Sequence, residues 1–149
     1  MNPFELSASE LLIWGLVLHL IADWPLQNDW MANNKMRRAP LGEVPGDGLT
    51  YPPGRMRPYT LWFLRHPAAY VHSGIHGVLL ALIFGWAAVA LAWAHLIIDC
   101  RWVVEKWSKI VGQTQPGGGS YNIGLEVRFW TDQVFHIVCI AIAALLVSI

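Results

Sequence analysis

Apolar residues fall along the chain in four blocks, separated by two stretches of different composition. The first block opens near Ser7, a residue suited to capping a helix N-terminus, and extends to about Ala32. Its apolar run is Leu11 to Ala22, and Pro25 is placed to kink it. Residues 33–65 are polar and punctuated: Lys35, Arg37 and Arg38 lead into Gly46-Asp47-Gly48 and Pro52-Pro53-Gly54, the composition of a loop. A connection this long in so small a protein reads as disordered or as a functional lid. The second block starts at Pro67, favourable in a first helical turn, and ends near Phe84. The third runs from about Trp86 to Ile110. Gln113 to Asn122, with Gly117-Gly118-Gly119-Ser120, reads as a flexible linker, and the fourth block continues from about Gly124 to Ile149. The pattern predicts an all-α domain with helices at about 7–32, 67–84, 86–110 and 124–149.

The boundary between the second and third blocks is decided by charge. Residues 77–98 carry no formal charge and are long enough for one spanning helix; the alternative is a hairpin turning near Gly85. All ten Lys and Arg lie in residues 35–65 (six) or 101–128 (four). One continuous helix would put these groups on opposite sides of a membrane, against the positive-inside rule. A hairpin puts all ten on one side. Four helices are therefore expected, with cytoplasmic basic loops and both termini outside.

Composition sets the environment. The 149 residues leave room for one domain. They are 55% hydrophobic and 13% charged, about half the charge of a typical soluble domain, and nine tryptophans suit membrane interfaces. This points to a multi-pass integral membrane four-helix bundle. Formal net charge is zero, so no global field attracts nucleic acid and no nucleic-acid partner is expected. Cys100 and Cys139 lie in apolar segments and read as packing residues. Glu5 and Glu10 stand where a signal peptide carries positive charge, so the first helix is expected to be retained.

Each apolar block contains one polar couple at i and i+4, the spacing that puts two side chains on one helix face. The couples are His19/Asp23, His72/His76, His95/Asp99 and Asp132/His136. They use five of the six histidines and three of the five aspartates; His66 sits outside the pattern and reads as a surface residue. In the hairpin, His76 precedes Gly85 by nine residues and His95 follows it by ten, so both lie about 14 Å from the turn. The outer two couples adjoin the basic loops, and all four fall in one layer near the cytoplasmic face. Such groups in a bilayer cost on the order of 3 kcal/mol each unless they face inward and satisfy one another.

Imidazole with carboxylate is the ligand set of zinc, manganese and iron. Eight donors exceed one tetrahedral shell, so two divalent ions sharing aspartate carboxylates suit the count. A single ion, with the other donors orienting its ligands, is the alternative. A structural hydrogen-bond network and a proton relay compete with ligation, although Ser, Thr, Asn and Gln are the usual interhelical glue. Haem does not account for an aspartate one turn from three of the histidines. Gln27 and Gln133 flank the layer and are expected to hydrogen-bond to the ligands. Arg128, one turn before Asp132, reads equally as a clamp for an anionic head group or as an interface anchor. Arg101 and Lys106 read as snorkelling anchors.

The segments His19-Leu-Ile-Ala-Asp23-Trp-Pro-Leu-Gln27, His72-Ser-Gly-Ile-His76, His95-Leu-Ile-Ile-Asp99 and Asp132-Gln-Val-Phe-His136 together resemble an uncharacterised family of small bacterial and phage four-helix membrane proteins. Its motifs read HLxxDFxLQ, HxxxH, HxxxD and DQxxH. Trp24 stands where that family has Phe, and the 33–65 loop lies outside the resemblance. A looser similarity to membrane-bound metal-dependent hydrolases implies hydrolysis of a lipid or phosphoester near the cytoplasmic interface. In that reading Asp23, Asp99 and Asp132 ligate or bridge, the five histidines complete the shells, Arg128 holds an anionic group, and membrane lipid and an amphiphilic substrate are the partners. A metal or proton transporter, which needs a homo-oligomer at this size, and a di-iron oxidase remain the other classes. The oxidase lacks the glutamates such sites use.

Overall fold

The structure is a computed structural model that describes residues 4–34, 67–99, 102–111 and 125–149. Among them it is all-helical: α1 (Ala8–Asp23), α2 (Asp29–Asn34), α3 (Pro67–Phe84), α4 (Ala87–Asp99), α5 (Trp102–Ile110) and α6 (Leu125–Val147). Of the loop expected over 33–65, residues 33–34 belong to α2 and 35–65 lie outside the described residues, as do His66, Cys100, Arg101, the 113–122 linker and the side chain of Arg128. Of the four long helices expected, the first is divided into α1 and α2; the third is described as α4 and α5, and residues 100–101 between them lie outside the described residues.

The division between α1 and α2 has a covalent cause. Pro25 has no N–H to give the carbonyl of Ile21, and the Leu26 N–H takes that carbonyl instead, at 3.1 Å. Helix α1 therefore stops at Asp23, and the chain restarts at Asn28, whose side-chain oxygen accepts from the Met31 N–H at 2.9 Å and caps α2. At its other end α1 is fixed by a capping box. The Ser7 hydroxyl accepts from the Glu10 N–H while the Glu10 carboxylate accepts from the Ser7 N–H at 2.9 Å.

Helices α3 and α4 form an antiparallel hairpin that turns through Gly85 and Trp86. Gly85 has φ 55°, the left-handed conformation that glycine adopts without a Cβ penalty at a helix end. Helices α1, α3, α4 and α6 pack in an up-down-up-down arrangement, α1 and α4 each touching both α3 and α6. Two contacts are unusually close. A Cβ at Gly15 would lie 2.7 Å from Ile140 Cγ2 and 3.0 Å from Phe84 Cε2, and one at Gly77 would lie 3.1 Å from the Ala92 Cβ. The Ser73 hydroxyl also donates to the Ala92 carbonyl at 2.5 Å, tying α3 to α4.

The interior has two storeys. Towards the Gly85 turn, Leu11, Leu80, Ile83, Phe84, Ala88, Leu91, Ile140 and Ala144 form an apolar plug. At the opposite end the same helical stripes change from apolar to polar. Residues 11, 15, 19 and 23 share the inner face of α1, and 80, 76 and 72 that of α3; α4 presents 91, 95 and 99, and α6 presents 140, 136 and 133. The spacing of three and four residues carries each stripe straight from plug to polar storey.

The outer faces are apolar as well. Ile13, Trp14, Val78, Leu82, Trp93, Ile142 and Leu145 are all more than half exposed. Two helical stretches, Pro67–Phe84 and Phe129–Val147, are long and apolar enough to cross a membrane.

Candidate metal centre

The polar storey gathers His19, Asp23, His72, His76, His95, Asp99 and His136, each at most 5% exposed. Each comes from the couple its helix carries, and the break at Pro25 places Asp23 on the last turn of α1. The five imidazoles form one continuous cluster. His76 and His95 stack with ring centroids 3.6 Å apart, so the two halves of the hairpin do meet at one depth. His95 lies 4.2 Å from His136, and His19 lies 4.8 Å from His76 and 5.0 Å from His136.

Two carboxylates organise the imidazole nitrogens. Oδ1 of Asp23 lies 3.1 Å from His72 Nε2, 3.2 Å from His76 Nε2 and 4.0 Å from His95 Nε2. Oδ2 of Asp99 lies 3.5 Å from His72 Nε2 and 3.4 Å from His95 Nε2, while its Oδ1 faces His136 Nε2 at 3.9 Å. Donors held about 2.1 Å from a common ion are ~3.4 Å apart on a tetrahedron and ~3.0 Å apart on an octahedron. The separations of 3.1–3.5 Å are close to these values, the His76–Asp23 one being also a hydrogen bond, while those of 3.9 and 4.0 Å are longer. Asp23, His72, His76 and His95 form one group whose ligand atoms all lie within 4.8 Å of one another, and His95, Asp99 and His136 form a second. His95, common to both groups, is buried, and its Nε2 lies 3.4 Å from Asp99 Oδ2 and 4.0 Å from Asp23 Oδ1.

Electrostatics favours a cation here. Two buried carboxylates in a low-dielectric interior are costly unless they are paired with positive charge or bound to metal. A dication among neutral imidazoles neutralises both. The buried His/Asp groups can thus hold a metal ion by donor type, spacing and charge.

The remaining predicted residues occupy different positions. Asp132 Oδ2 lies 3.6 Å from His136 Nδ1, but its side chain is 19% exposed and it belongs to neither ligand group; it marks the rim. Gln133 is buried inside the storey: its amide donates to Asp23 Oδ2 at 2.9 Å, and its Oε1 lies 3.2 Å from His19 Nε2. Gln27 behaves otherwise, its Oε1 being buried without a hydrogen-bond partner. Arg128 is on α6, one turn before Asp132. Lys106 is exposed on α5, where Val104 and Ser108 are buried. Sequence reading missed Ser73 and Gly15, which fix how closely the helices approach; a small residue inside an apolar run was the one available signal.

No family model, no curated protein and no solved structure matches the chain. Any reading of its chemistry therefore rests on the geometry.

Proposed function

We propose that this chain is a membrane-embedded, metal-dependent hydrolase acting on a lipid or phosphoester-type substrate. One observation carries the metal assignment: His95 is buried and belongs to both groups of mutually close donors, with its Nε2 3.4 Å from an Asp99 oxygen and 4.0 Å from an Asp23 oxygen. Asp23, His72, His76 and His95 would hold a first ion, and His95, Asp99 and His136 form the second group that could hold one; Asp99 turns its two oxygens to different imidazoles. Zinc, manganese and iron suit this donor set. Such ions supply Lewis acidity and make water a nucleophile near neutral pH.

The rest of the reading follows from position. Apolar side chains cover the outer faces of α1, α3, α4 and α6, a far larger apolar surface than a soluble monomer exposes; this supports lipid on all sides. With the basic residues cytoplasmic, the polar storey lies near the cytoplasmic interface and the Gly85 turn faces outside. Asp132, the rim residue, gives the site its access there, and the backbone position of Arg128 beside it suits an anionic head group. A transport path is less well supported, since the apolar plug closes the interior between the polar storey and the Gly85 end.

Elemental analysis of the detergent-purified full chain tests the assignment, beside His72→Ala and Asp99→Ala. Native protein carrying one to two equivalents of metal, depleted in both variants and hydrolysing a phosphodiester reporter only when loaded, is the expected result. Absence of metal from the native protein, or full occupancy in both variants, overturns it.

A further inference from the structure

The eight donors of the polar layer do not share one task. We infer that His19 is not a metal ligand, and that with Gln133 it forms a clamp on Asp23 which selects the oxygen presented to the ion. This inference rests on the metal-centre reading and assigns positioning roles within it.

The geometry around Asp23 is asymmetric. Its Oδ1 faces the ligand side, with His72 Nε2 at 3.1 Å and His76 Nε2 at 3.2 Å. Its Oδ2 faces away, accepting from the Gln133 amide at 2.9 Å and lying 3.4 Å from His19 Nε2. His19 and Gln133 also engage each other, Nε2 to Oε1 at 3.2 Å, closing a three-membered ring of side chains. An amide oxygen accepts only, so the His19–Gln133 bond requires the proton on His19 Nε2. That proton faces the Asp23 carboxylate too. A protonated nitrogen has no lone pair for a metal, and the Nε2 of His19 is thereby removed from the ligand set. His19 is also absent from both groups of mutually close donors, although it is only 2% exposed.

The clamp has a mechanical purpose. A carboxylate beside several imidazoles can rotate and offer either oxygen to them. Anchoring Oδ2 from α6, through Gln133, and from α1, through His19, fixes the plane of Asp23. It also links α1 to α6 at the level of the site. Partners of this kind that orient a ligand are worth about 10- to 100-fold in metal affinity, whereas loss of a ligand changes the coordination itself.

Cobalt(II) titration of the full chain in detergent, read by visible absorption and by stoichiometry at saturation, separates these roles. His19→Gln keeps a hydrogen-bonding amide and supplies no imidazole; His19→Ala and Gln133→Ala remove the clamp; His76→Ala removes a ligand. His19→Gln is expected to keep the native band and stoichiometry with near-native affinity. His19→Ala and Gln133→Ala should keep the band with a dissociation constant raised about 10- to 100-fold, and His76→Ala should alter the band. If His19→Gln or His19→Ala alters the band or loses an equivalent as His76→Ala does, His19 is a ligand and the inference fails while the metal centre stands. If native protein binds no cobalt, the metal centre and the clamp's role in it fall together. Circular dichroism confirms that each variant is helical, and His19→Gln decides the matter should His19→Ala not fold.

Discussion

Gly15→Ala adds one methyl group where α1 crosses α6. The new Cβ would stand 2.7 Å from Ile140 Cγ2 and 3.0 Å from Phe84 Cε2, while carbon atoms pack best at about 3.5–4.0 Å. Ile140 Cγ2 sits on a branched Cβ whose rotamer is fixed in a helix, so the relief must come from the helices parting by about 1 Å. Overpacking of this kind costs about 1–3 kcal/mol, and replacing glycine inside a helix returns about 1 kcal/mol. The net loss is therefore about 0–2 kcal/mol. The larger effect is on the site: α1 moves as a rod, taking Asp23 with it, and metal–ligand distances hold only within about 0.2 Å. Metal affinity should fall at least ~10-fold. Gly74→Ala is the matched control, since a Cβ there meets nothing within 4 Å; it should leave affinity unchanged and raise stability by up to about 1 kcal/mol. Cobalt titration and thermal melting of both variants in one detergent make the comparison. A Gly15→Ala protein that binds metal with native affinity and melts no lower than Gly74→Ala would refute the coupling of helix packing to site geometry.

Four other outcomes are expected. Asp23→Asn removes an ionic ligand; with about 10–16 kcal/mol of binding spread over four donors, metal affinity should drop about 10²- to 10³-fold in the same titration. Ser73→Ala breaks the hydroxyl bond to the Ala92 carbonyl, lowering stability by about 1 kcal/mol while leaving metal stoichiometry as it was. Acid should release bound metal, because protons compete for the imidazole nitrogens and affinity falls as pH drops; equilibrium dialysis across pH reads this directly. Trp86→Cys, at the 88% exposed hairpin tip, should be labelled from the face opposite cysteines placed in residues 35–65; labelling from the same face would contradict the proposed topology.

The site was more legible in the sequence than the course of the helices. Couples at i and i+4 name a helix face without any knowledge of the fold, and Gly85 sits almost midway between His76 and His95, so their stacking follows from the hairpin. What the spacing leaves open is depth across the bundle. Asp132 looks equivalent to Asp23 in sequence, yet it lies on the rim because α6 presents Gln133 and His136 to the interior. Gln27 and Gln133 are likewise alike in pattern. The break at Pro25 puts Gln27 beyond the end of α1, off the stripe that His19 and Asp23 share, while Gln133 stays within α6 and reaches Asp23. Pro25 was read as a kink, and its consequence is a stop, since Leu26 rather than residue 25 satisfies Ile21.

X-ray absorption of the zinc-loaded full chain tests the metal centre most directly. A cage of Asp23, His72, His76 and His95 predicts only nitrogen and oxygen at about 2.0–2.2 Å, with the outer scattering of several imidazoles. A sulfur shell near 2.3 Å, or a chain that retains no zinc after desalting, would contradict it.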